Sequence, residues 1–218
     1  MDDASDANLD ALIRRVDPDR WMSSRFIGDA GLRADVVGLY AFDHELARAP
    51  KIASNPLIGE IRLTWWREAL DEIYAGRPVR RHPTAQALAA VIARHRLDRA
   101  PLEALIDARY RELDPEPMDE ADAVTWARET AGQVAVLAAS ALDPGGDPEA
   151  ARPAAAAWAL ARAGHPFAAE RAEGRRLASS LSATAFPAVA HAALIGRAGG
   201  SAFARRVRLT WAVARGRI

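Results

Sequence analysis

The sequence predicts an all-α bundle of about ten helices, and three observations predict it. Apolar residues recur at spacings of three and four along most of the chain, which is the periodicity of a helix rather than of a strand. Hydrophobic residues make up 50% of the 218 residues but aromatic residues only 6%, because alanine, the best helix former, dominates the apolar count. Proline and glycine separate the periodic segments at short intervals. No segment shows the strict alternation of a β-strand.

Three helices are predicted before the first long joint. The first covers residues 8–16 and ends before Asp17-Pro18, because proline lacks the N–H that an interior helical position needs. The second covers residues 20–27, after which a glycine-containing segment turns the chain. The third covers residues 32–49 and is closed by Pro50.

The fourth helix has the strongest start signal in the chain. Asn55 supplies a capping side chain and Pro56 fits the first helical position, so a helix is predicted from there to Tyr74, ended by Gly76.

Charged and aromatic side chains share this fourth helix. Arg62 precedes Trp66 by four residues, so its guanidinium is expected to stack on the indole. Arg67 and Asp71 have the same spacing and are expected to form a surface ion pair. Because Trp65 and Trp66 occupy neighbouring faces, at least one of them is expected to be more than half buried, with Arg62 directed toward a central cavity.

The remainder of the chain is predicted to be helical with short joints. Further helices are expected over residues 84–95, 101–113, 119–142, 147–163, 166–181, 187–198 and 201–215. The loops 114–117 and 143–146 are too short to separate domains. We therefore expect an N-terminal tail with a short helix over residues 1–16, followed by a single helical domain over residues 17–218.

Composition and charge exclude several classes of protein. Lys and Arg number 29 and Asp and Glu number 29, so the formal net charge is zero and nucleic acid is not an expected partner. The absence of cysteine excludes disulfides, thiolate nucleophiles and thiolate-bound zinc or iron. The longest apolar runs are too short for a membrane span, and the acidic start lacks the features of a signal peptide. The expected location is cytoplasmic, with peripheral contact with the inner face of the membrane left open.

Common catalytic signatures are absent from the sequence. It contains no phosphate-binding loop, no nucleophile elbow, no His-Glu-x-x-His motif and no dinucleotide fingerprint. The five histidines do not share metal-ligand spacing. Asp143 and Asp147 have the i, i+4 spacing, but the Pro-Gly-Gly between them predicts a turn followed by a helix cap.

Three stretches carry a resemblance to a known family. They are Gly-Leu-Tyr-Ala-Phe at 38–42, Glu-Leu-Ala at 45–47, and Gly-Glu-Ile-Arg-Leu-Thr-Trp-Trp-Arg-Glu-Ala-Leu at 59–70. In order and spacing they resemble the squalene/phytoene synthase family. Weaker matches at 105–109, 129–132, 166–167 and 205–211 extend the resemblance over nearly the whole chain from residue 17, with the specific part at 39–70. The resemblance implies an isoprenoid-synthase fold and enzymes that join two prenyl diphosphates head to head, with magnesium held by two Asp-rich motifs.

The positions of the first Asp-rich motif carry other residues in this chain. The resemblance places the metal ligands at Ala47, Arg48 and Lys51, one small residue and two cations. Asp43 and Glu45 lie nearby, but their i, i+2 spacing points them to different faces of a helix.

The region of the second motif also departs from the family pattern. Residues 159–167 contain no carboxylate. Glu170 and Glu173 follow, interleaved with Arg171 and Arg175, which are expected to neutralise them. We therefore expect no metal site, no cofactor and no catalytic residues.

The pattern is most similar to a divergent branch of the family that lacks the Asp-rich motifs and includes a mitochondrial complex I assembly factor. The first hypothesis is accordingly a catalytically inactive, synthase-fold protein that binds a lipid or isoprenoid-like ligand, or that acts with a protein partner in assembly of the respiratory complex I type. Its candidate ligand-binding residues are Tyr40, Asp43, Arg48, Lys51, Arg62, Trp65 and Trp66.

Two alternatives stay open at this point. One is an active prenyl transferase that condenses isoprenyl diphosphates with magnesium in a rearranged site built from Asp43, Glu45, Glu170 and Glu173. The other is a helical interaction module without a ligand. An open apolar cavity would favour ligand binding, whereas a core filled by Trp65 or Trp66 would favour the interaction module.

Overall fold

The computed structural model describes residues 3–51, 55–196 and 201–218, with the side chains of residues 3–7 left aside. Within these ranges the chain is a bundle of α-helices joined by short turns, 3₁₀ segments and a π-helical turn, and it has no β-strand. The predicted all-α class is therefore confirmed. The helices are α1 Asp3–Val16, α2 Pro18–Ser24, α3 Ala30–Lys51, α4 Pro56–Tyr74, α5 Pro83–His95, α6 Arg99–Tyr110, α7 Glu120–Ala127, α8 Gln133–Leu142, α9 Arg152–Ala163, α10 Ala168–Ala178 and α11 Ala202–Arg215.

Helix α3 lies at the centre of the bundle. It packs against α1, α4, α5, α6 and α8, and it is buried on nearly every side from Asp35 to Asp43. A helix enclosed in this way needs partners for its polar groups. Asp35 accepts hydrogen bonds from Arg94 at 2.7 Å and from His95 at 2.8 Å, which fastens α3 to the end of α5.

Helix α4 begins and ends where the sequence predicts. The Asn55 side chain accepts a hydrogen bond from the Ile58 N–H at 3.1 Å, and Pro56 opens the first turn. Trp66 is only 4% exposed and packs edge-on against Phe42 at 5.3 Å between ring centroids. The expectation that one tryptophan of the pair is buried is confirmed.

The predicted partners of the charged residues on α4 are wrong. Arg62 is exposed, and the guanidinium that lies over the tryptophan pair is that of Arg80, 4.8 Å from the Trp65 ring centroid. Arg67 pairs with Asp107 on α6 rather than with Asp71, which lies on its own helix. The reason is that α6 packs alongside α4 and offers opposite charges across the interface.

Asp71 is likewise drawn to the neighbouring helix. Its carboxylate pairs with Arg99 at the start of α6. Both ion pairs of this interface therefore join two helices, which the spacing within one helix cannot reveal.

The helix predicted over residues 187–198 is also wrong. The chain forms two 3₁₀ segments there, Phe186–Ala188 and Ala190–Leu194, with Val189 between them, while residues 197–198 lie outside the described part. The Ser23 hydroxyl donates to the carbonyl of Pro187 at 2.6 Å, a carbonyl that an α-helix would use to accept the His191 N–H. Tertiary contact thus replaces helical hydrogen bonding in this buried segment.

A π-helical turn interrupts the predicted helix over residues 119–142. It spans Arg128–Gly132 and joins α7 to α8 without a loop. Such turns are rare inside helices and often lie at functional sites. Here the turn places Thr130 and Ala131 against a cleft.

Candidate functional site

A cleft of about 360 Å³ opens between α3, α6 and α9. The junction of α1 with α2, and the end of α7 with the π-helical turn after it, complete its wall. Its volume falls within the range of small-molecule pockets, roughly 300–1,000 Å³. The apolar part of the wall is formed by Val16, Ala47, Trp126, Ala131, Trp158, Ala159 and Ala163. The polar part is formed by Asp17, Arg20, Tyr40, Asp43, His44, Arg48, Lys51, Arg109, Thr130 and Arg162. Five of these side chains are cations and two are carboxylates.

The deepest charged group of the cleft is a carboxylate held by two arginines. Asp43, on α3, is 5% exposed and accepts a hydrogen bond from Arg20 of α2 at 2.5 Å. Its other oxygen accepts from Arg109 of α6. Arg20 and Arg109 are themselves buried, and each keeps a second carboxylate nearby, Asp17 at 3.7 Å and Glu112 respectively.

The arginines keep this carboxylate ionised. Burial alone would raise the pKa of Asp43, but Arg109 and Arg20 outweigh it and lower the pKa from 3.8 to about 2. Burial likewise opposes the charge on both arginines, and the carboxylates beside them nevertheless raise the pKa of each. The three groups therefore form a buried, charged cluster within the cleft wall.

Two buried donors in the cleft wall have no hydrogen-bond partner in the described part of the chain. One is the hydroxyl of Tyr40, and the other is the Nε of Arg109. Burial raises the pKa of Tyr40 well above its ordinary value, so the hydroxyl remains a protonated donor. Because buried polar groups are normally satisfied, these two unpartnered donors are exceptions within the described residues.

Side chains at the mouth of the cleft add positive charge. Arg48 is exposed and touches Glu45 at 3.2 Å, and Lys51 lies one turn further along α3. On the facing wall Arg162 lies over the ring of Trp158, 4.8 Å from its centroid. The mouth thus carries cations, and the wall below it combines aromatic and apolar side chains with the buried cluster of Arg20, Asp43 and Arg109.

Four of the seven predicted ligand-binding residues line this cleft, and three do not. Tyr40, Asp43, Arg48 and Lys51 belong to the wall. The other three, Arg62, Trp65 and Trp66, lie outside it. Their helix, α4, packs on a different side of α3, so Trp66 fills core space instead of lining the cleft.

Sequence reasoning did not identify the two tryptophans of the wall or three of its four arginines. They are Arg20, Arg109, Trp126, Trp158 and Arg162. Arg109 lies within one of the weaker stretches of family resemblance, which was the available signal for it. Trp158 and Arg162 lie beside and within the region where the resemblance implies the second motif, whereas the orientation of α2 and α7 follows only from packing.

The carboxylates of the alternative transferase site are not brought together. Glu170 and Glu173 lie outside the cleft and are both held by Arg128, at 3.0 and 2.6 Å. Their neutralisation by Arg171 and Arg175 was therefore predicted wrongly, because Arg128 reaches them from the π-helical turn. Glu45 faces away from the cleft toward α1.

The residues present do not fit a magnesium site. Mg²⁺ requires oxygen ligands, usually carboxylates, in near-octahedral geometry. Both oxygens of Asp43 are taken by arginines, and Arg48 and Lys51 place positive charge where the resemblance implies metal ligands. The described residues contain no group of three or more His, Asp or Glu side chains arranged to hold a metal ion.

The sequence of this chain also matches a protein-family model. The model for squalene/phytoene synthase matches residues 13–164, well over half of the chain. The chain belongs to the squalene/phytoene synthase family.

Solved structures of the same fold agree with this membership. A dehydrosqualene synthase crystallised with a ligand superposes with a TM-score of 0.72, covering 97% of this chain and 95% of that one at 13% identity. The squalene synthase HpnC from Alicyclobacillus acidocaldarius superposes with a TM-score of 0.69, covering 98% and 94% at 17% identity. At these identities the likeness concerns the fold.

Curated relatives with higher identity carry a different name. NADH dehydrogenase (ubiquinone) complex I, assembly factor 6, is 32% identical in Bos taurus and 31% identical in Homo sapiens, in each case over 103 residues. The matched segment covers 47% of this chain and 30% of the length of those relatives. The resemblance to a branch that includes such a factor is thereby supported for that segment.

None of the described helices combines the length and the apolar character that a membrane crossing needs.

Proposed function

We propose that this family member is catalytically inactive and that its cleft binds an amphipathic anion, such as an isoprenoid or lipid with a phosphate headgroup, without a metal cofactor. A single observation carries the proposal. The positions at which the family resemblance implies magnesium ligands line the cleft, and here they are Ala47, Arg48 and Lys51. Cations at these positions can neutralise a phosphate directly, whereas a metal would be repelled.

The walls of the cleft support the apolar half of this ligand. Trp126, which is partly exposed, and small alanine side chains supply apolar wall surface, while the guanidinium groups of Arg20 and Arg162 lie over the ring of Trp158. An apolar chain placed there would exclude water from aromatic surface, which favours binding. The unpartnered Tyr40 hydroxyl offers a donor to the ligand.

The chemistry of prenyl transfer is not supported by the same geometry. Ionisation of a prenyl diphosphate needs its developing negative charge to be stabilised by metal ions or by donors aimed at the leaving group. Asp43 is committed to Arg20 and Arg109, and Glu170 and Glu173 are committed to Arg128. Asp17, the other carboxylate of the cleft, caps α2 and lies 3.7 Å from Arg20, so we propose binding rather than turnover.

The test is calorimetric titration of farnesyl diphosphate into the full chain in a buffer that contains a metal chelator. We expect saturable binding, and weaker binding of farnesol, which has the same chain without the charge. Lys51→Glu should weaken diphosphate binding at least about tenfold, because exchanging an attraction for a repulsion changes the free energy of binding by about 1.4 kcal/mol or more. Tyr40→Phe should weaken it about fivefold, the worth of one hydrogen bond.

Arg62→Glu is the matched control for this titration. It makes the same charge reversal on an exposed side chain of α4, outside the cleft. Binding by this variant should equal that of the unaltered protein. Equal weakening by Lys51→Glu and Arg62→Glu, or no binding at all, would contradict the proposed site.

A second candidate function is help in the assembly of a multisubunit complex through a protein partner. The observation that favours it is the name of the curated relatives, complex I assembly factor 6. Leu57 and Ile61, one turn apart on α4 and both exposed, offer an apolar contact for such a partner. Replacing both by Ser in the source organism should lower the amount of assembled NADH dehydrogenase on a native gel. An unchanged amount would contradict this candidate.

A further inference from the structure

Helix α11 presents its apolar stripe to solvent instead of to the protein. Phe203, Val207 and Trp211 follow one another at spacings of four and are 76%, 42% and 55% exposed. On the opposite face Leu209 and Ala212 are buried against the body of the protein. The helix is therefore fastened on one side, and on the other it leaves an apolar stripe that no described residue covers.

Arginines flank this stripe on both sides. At 100° per residue, Arg206 lies on one edge of the exposed face, and Arg208 and Arg215 lie on the other. The guanidinium of Arg215 lies 4.0 Å from the centroid of the Trp211 ring. No acidic residue occurs within α11. The exposed face thus combines aromatic side chains with positive charge only.

Arg171 and Arg175, on α10, add positive charge near α11. Burial and the positive charges of Arg175 and of Arg208 on α11 lower the pKa of Arg171. Within the described ranges, none of the three has a carboxylate at ion-pair distance. Like charges held together without a counter-ion favour an anionic partner.

We propose that α11 docks this protein on the surface of an anionic lipid bilayer, with Phe203, Val207 and Trp211 inserted between the headgroups and the flanking arginines at the level of the lipid phosphates. A helix with an aromatic apolar face and arginines beside it has the composition of helices that lie in the plane of a membrane interface. Tryptophan in particular prefers this region, because its ring is largely apolar and its N–H is polar.

Local charge rather than total charge carries the attraction. The whole chain has a formal net charge of zero, so it has no general affinity for anionic surfaces. Each arginine near an anionic bilayer contributes about 1 kcal/mol, or about fivefold in affinity. The preference for anionic lipid must therefore be lost when these particular arginines are changed.

A second copy of the chain is a poorer occupant of the same face. In a twofold dimer through α11, the arginine-rich edges of the two copies would meet each other. Like charges placed opposite one another across an interface oppose association. Dimerisation through this face would therefore overturn the proposal.

Flotation of the full chain with vesicles tests the proposal. Vesicles of phosphatidylcholine mixed with phosphatidylglycerol should carry the protein upward, whereas vesicles of phosphatidylcholine alone should not, and added salt should release it. Phe203→Ser with Trp211→Ser should weaken binding at least about tenfold. Both residues are exposed, so the melting temperature of this variant should stay unchanged.

Two double variants serve as matched controls. Leu57→Ser with Ile61→Ser removes equally exposed apolar side chains from α4 and should leave vesicle binding unchanged.

The charge control compares two reversals of equal size. Arg206→Glu with Arg215→Glu should abolish the preference for anionic vesicles, whereas Arg77→Glu with Arg81→Glu, on an exposed loop, should not.

Three results would overturn the proposal. They are the absence of binding to anionic vesicles, equal effects of the α11 and control variants, and a concentration-dependent dimer in lipid-free buffer that the Phe203→Ser, Trp211→Ser variant abolishes. The last result would assign the stripe to contact between copies of the chain.

Discussion

Replacing Asp43 by Asn should destabilise the folded protein more than any other substitution that changes only one polar atom of a cleft side chain. The substitution keeps the shape of the side chain but removes the charge between Arg20 and Arg109, which are both buried. Breaking a buried ion pair by removing one partner costs about 3–5 kcal/mol, because the remaining charge is left uncompensated. Since Arg20 retains Asp17 and Arg109 retains Glu112, we expect a loss near the lower end, about 3 kcal/mol.

Urea unfolding followed by circular dichroism at neutral pH measures this loss. Asp10→Asn is the control, because the pair of Asp10 with Arg25 is about a third exposed on both sides and should contribute less than about 1 kcal/mol. A loss for Asp43→Asn no greater than for Asp10→Asn would refute the reasoning that the carboxylate holds two buried arginines.

The ion pairs of Asp43 also determine how the difference in free energy of unfolding between the unaltered protein and Asp43→Asn depends on pH. The pKa of Asp43 is lowered in the folded protein, so its stabilisation is complete above the unfolded pKa near 3.8 and is lost as the pH falls toward about 2. The difference in free energy of unfolding between the unaltered protein and Asp43→Asn should therefore shrink between about pH 4 and pH 2. A difference that shrinks instead on raising the pH would contradict the assignment.

Three further outcomes test the packing and the chemistry. Trp66→Ala should lower the free energy of unfolding by about 3–5 kcal/mol because it empties core space, whereas Arg67→Ala should cost at most about 0.5 kcal/mol because its ion pair is exposed; equal losses in urea titrations would disprove the orientation of α4. Gly174→Ala should cost about 1–3 kcal/mol in the same assay, because a Cβ there would lie 2.7 Å from the Cα of Ala154 on α9; a neutral result would mean that the two helices separate easily. With magnesium and farnesyl diphosphate the protein should release no more diphosphate than a blank, and magnesium alone should not raise the melting temperature. Turnover that Asp43→Ala abolishes, or a saturable shift specific to magnesium, would contradict that expectation.

The parts of the fold that depend on local signals were predictable from the sequence. Asn55 and Pro56 determine the start of α4 through a hydrogen bond and a fixed backbone angle, and both act within one turn. The segment after Phe186 was not predictable in the same way, because its conformation depends on a hydroxyl from Ser23, more than 160 residues away along the chain.

The candidate site was predictable on α3 and not beyond it. Tyr40, Arg48 and Lys51 share a face of one helix, so the family resemblance located them together. Arg62 was assigned to the same cavity because helical periodicity gives the spacing of side chains but not the direction in which a face points. That direction is determined by which helix packs against which, and α4 packs on another side of α3.

Calorimetric titration of farnesyl diphosphate, performed once with a chelator and once with magnesium, tests the central claim most directly. If Arg48, Lys51 and their neighbours hold the anion themselves, the dissociation constant in the chelator will be as low as in magnesium, apart from the competition of the metal for the diphosphate. Binding that appears only when magnesium is present would contradict a metal-free cationic cleft.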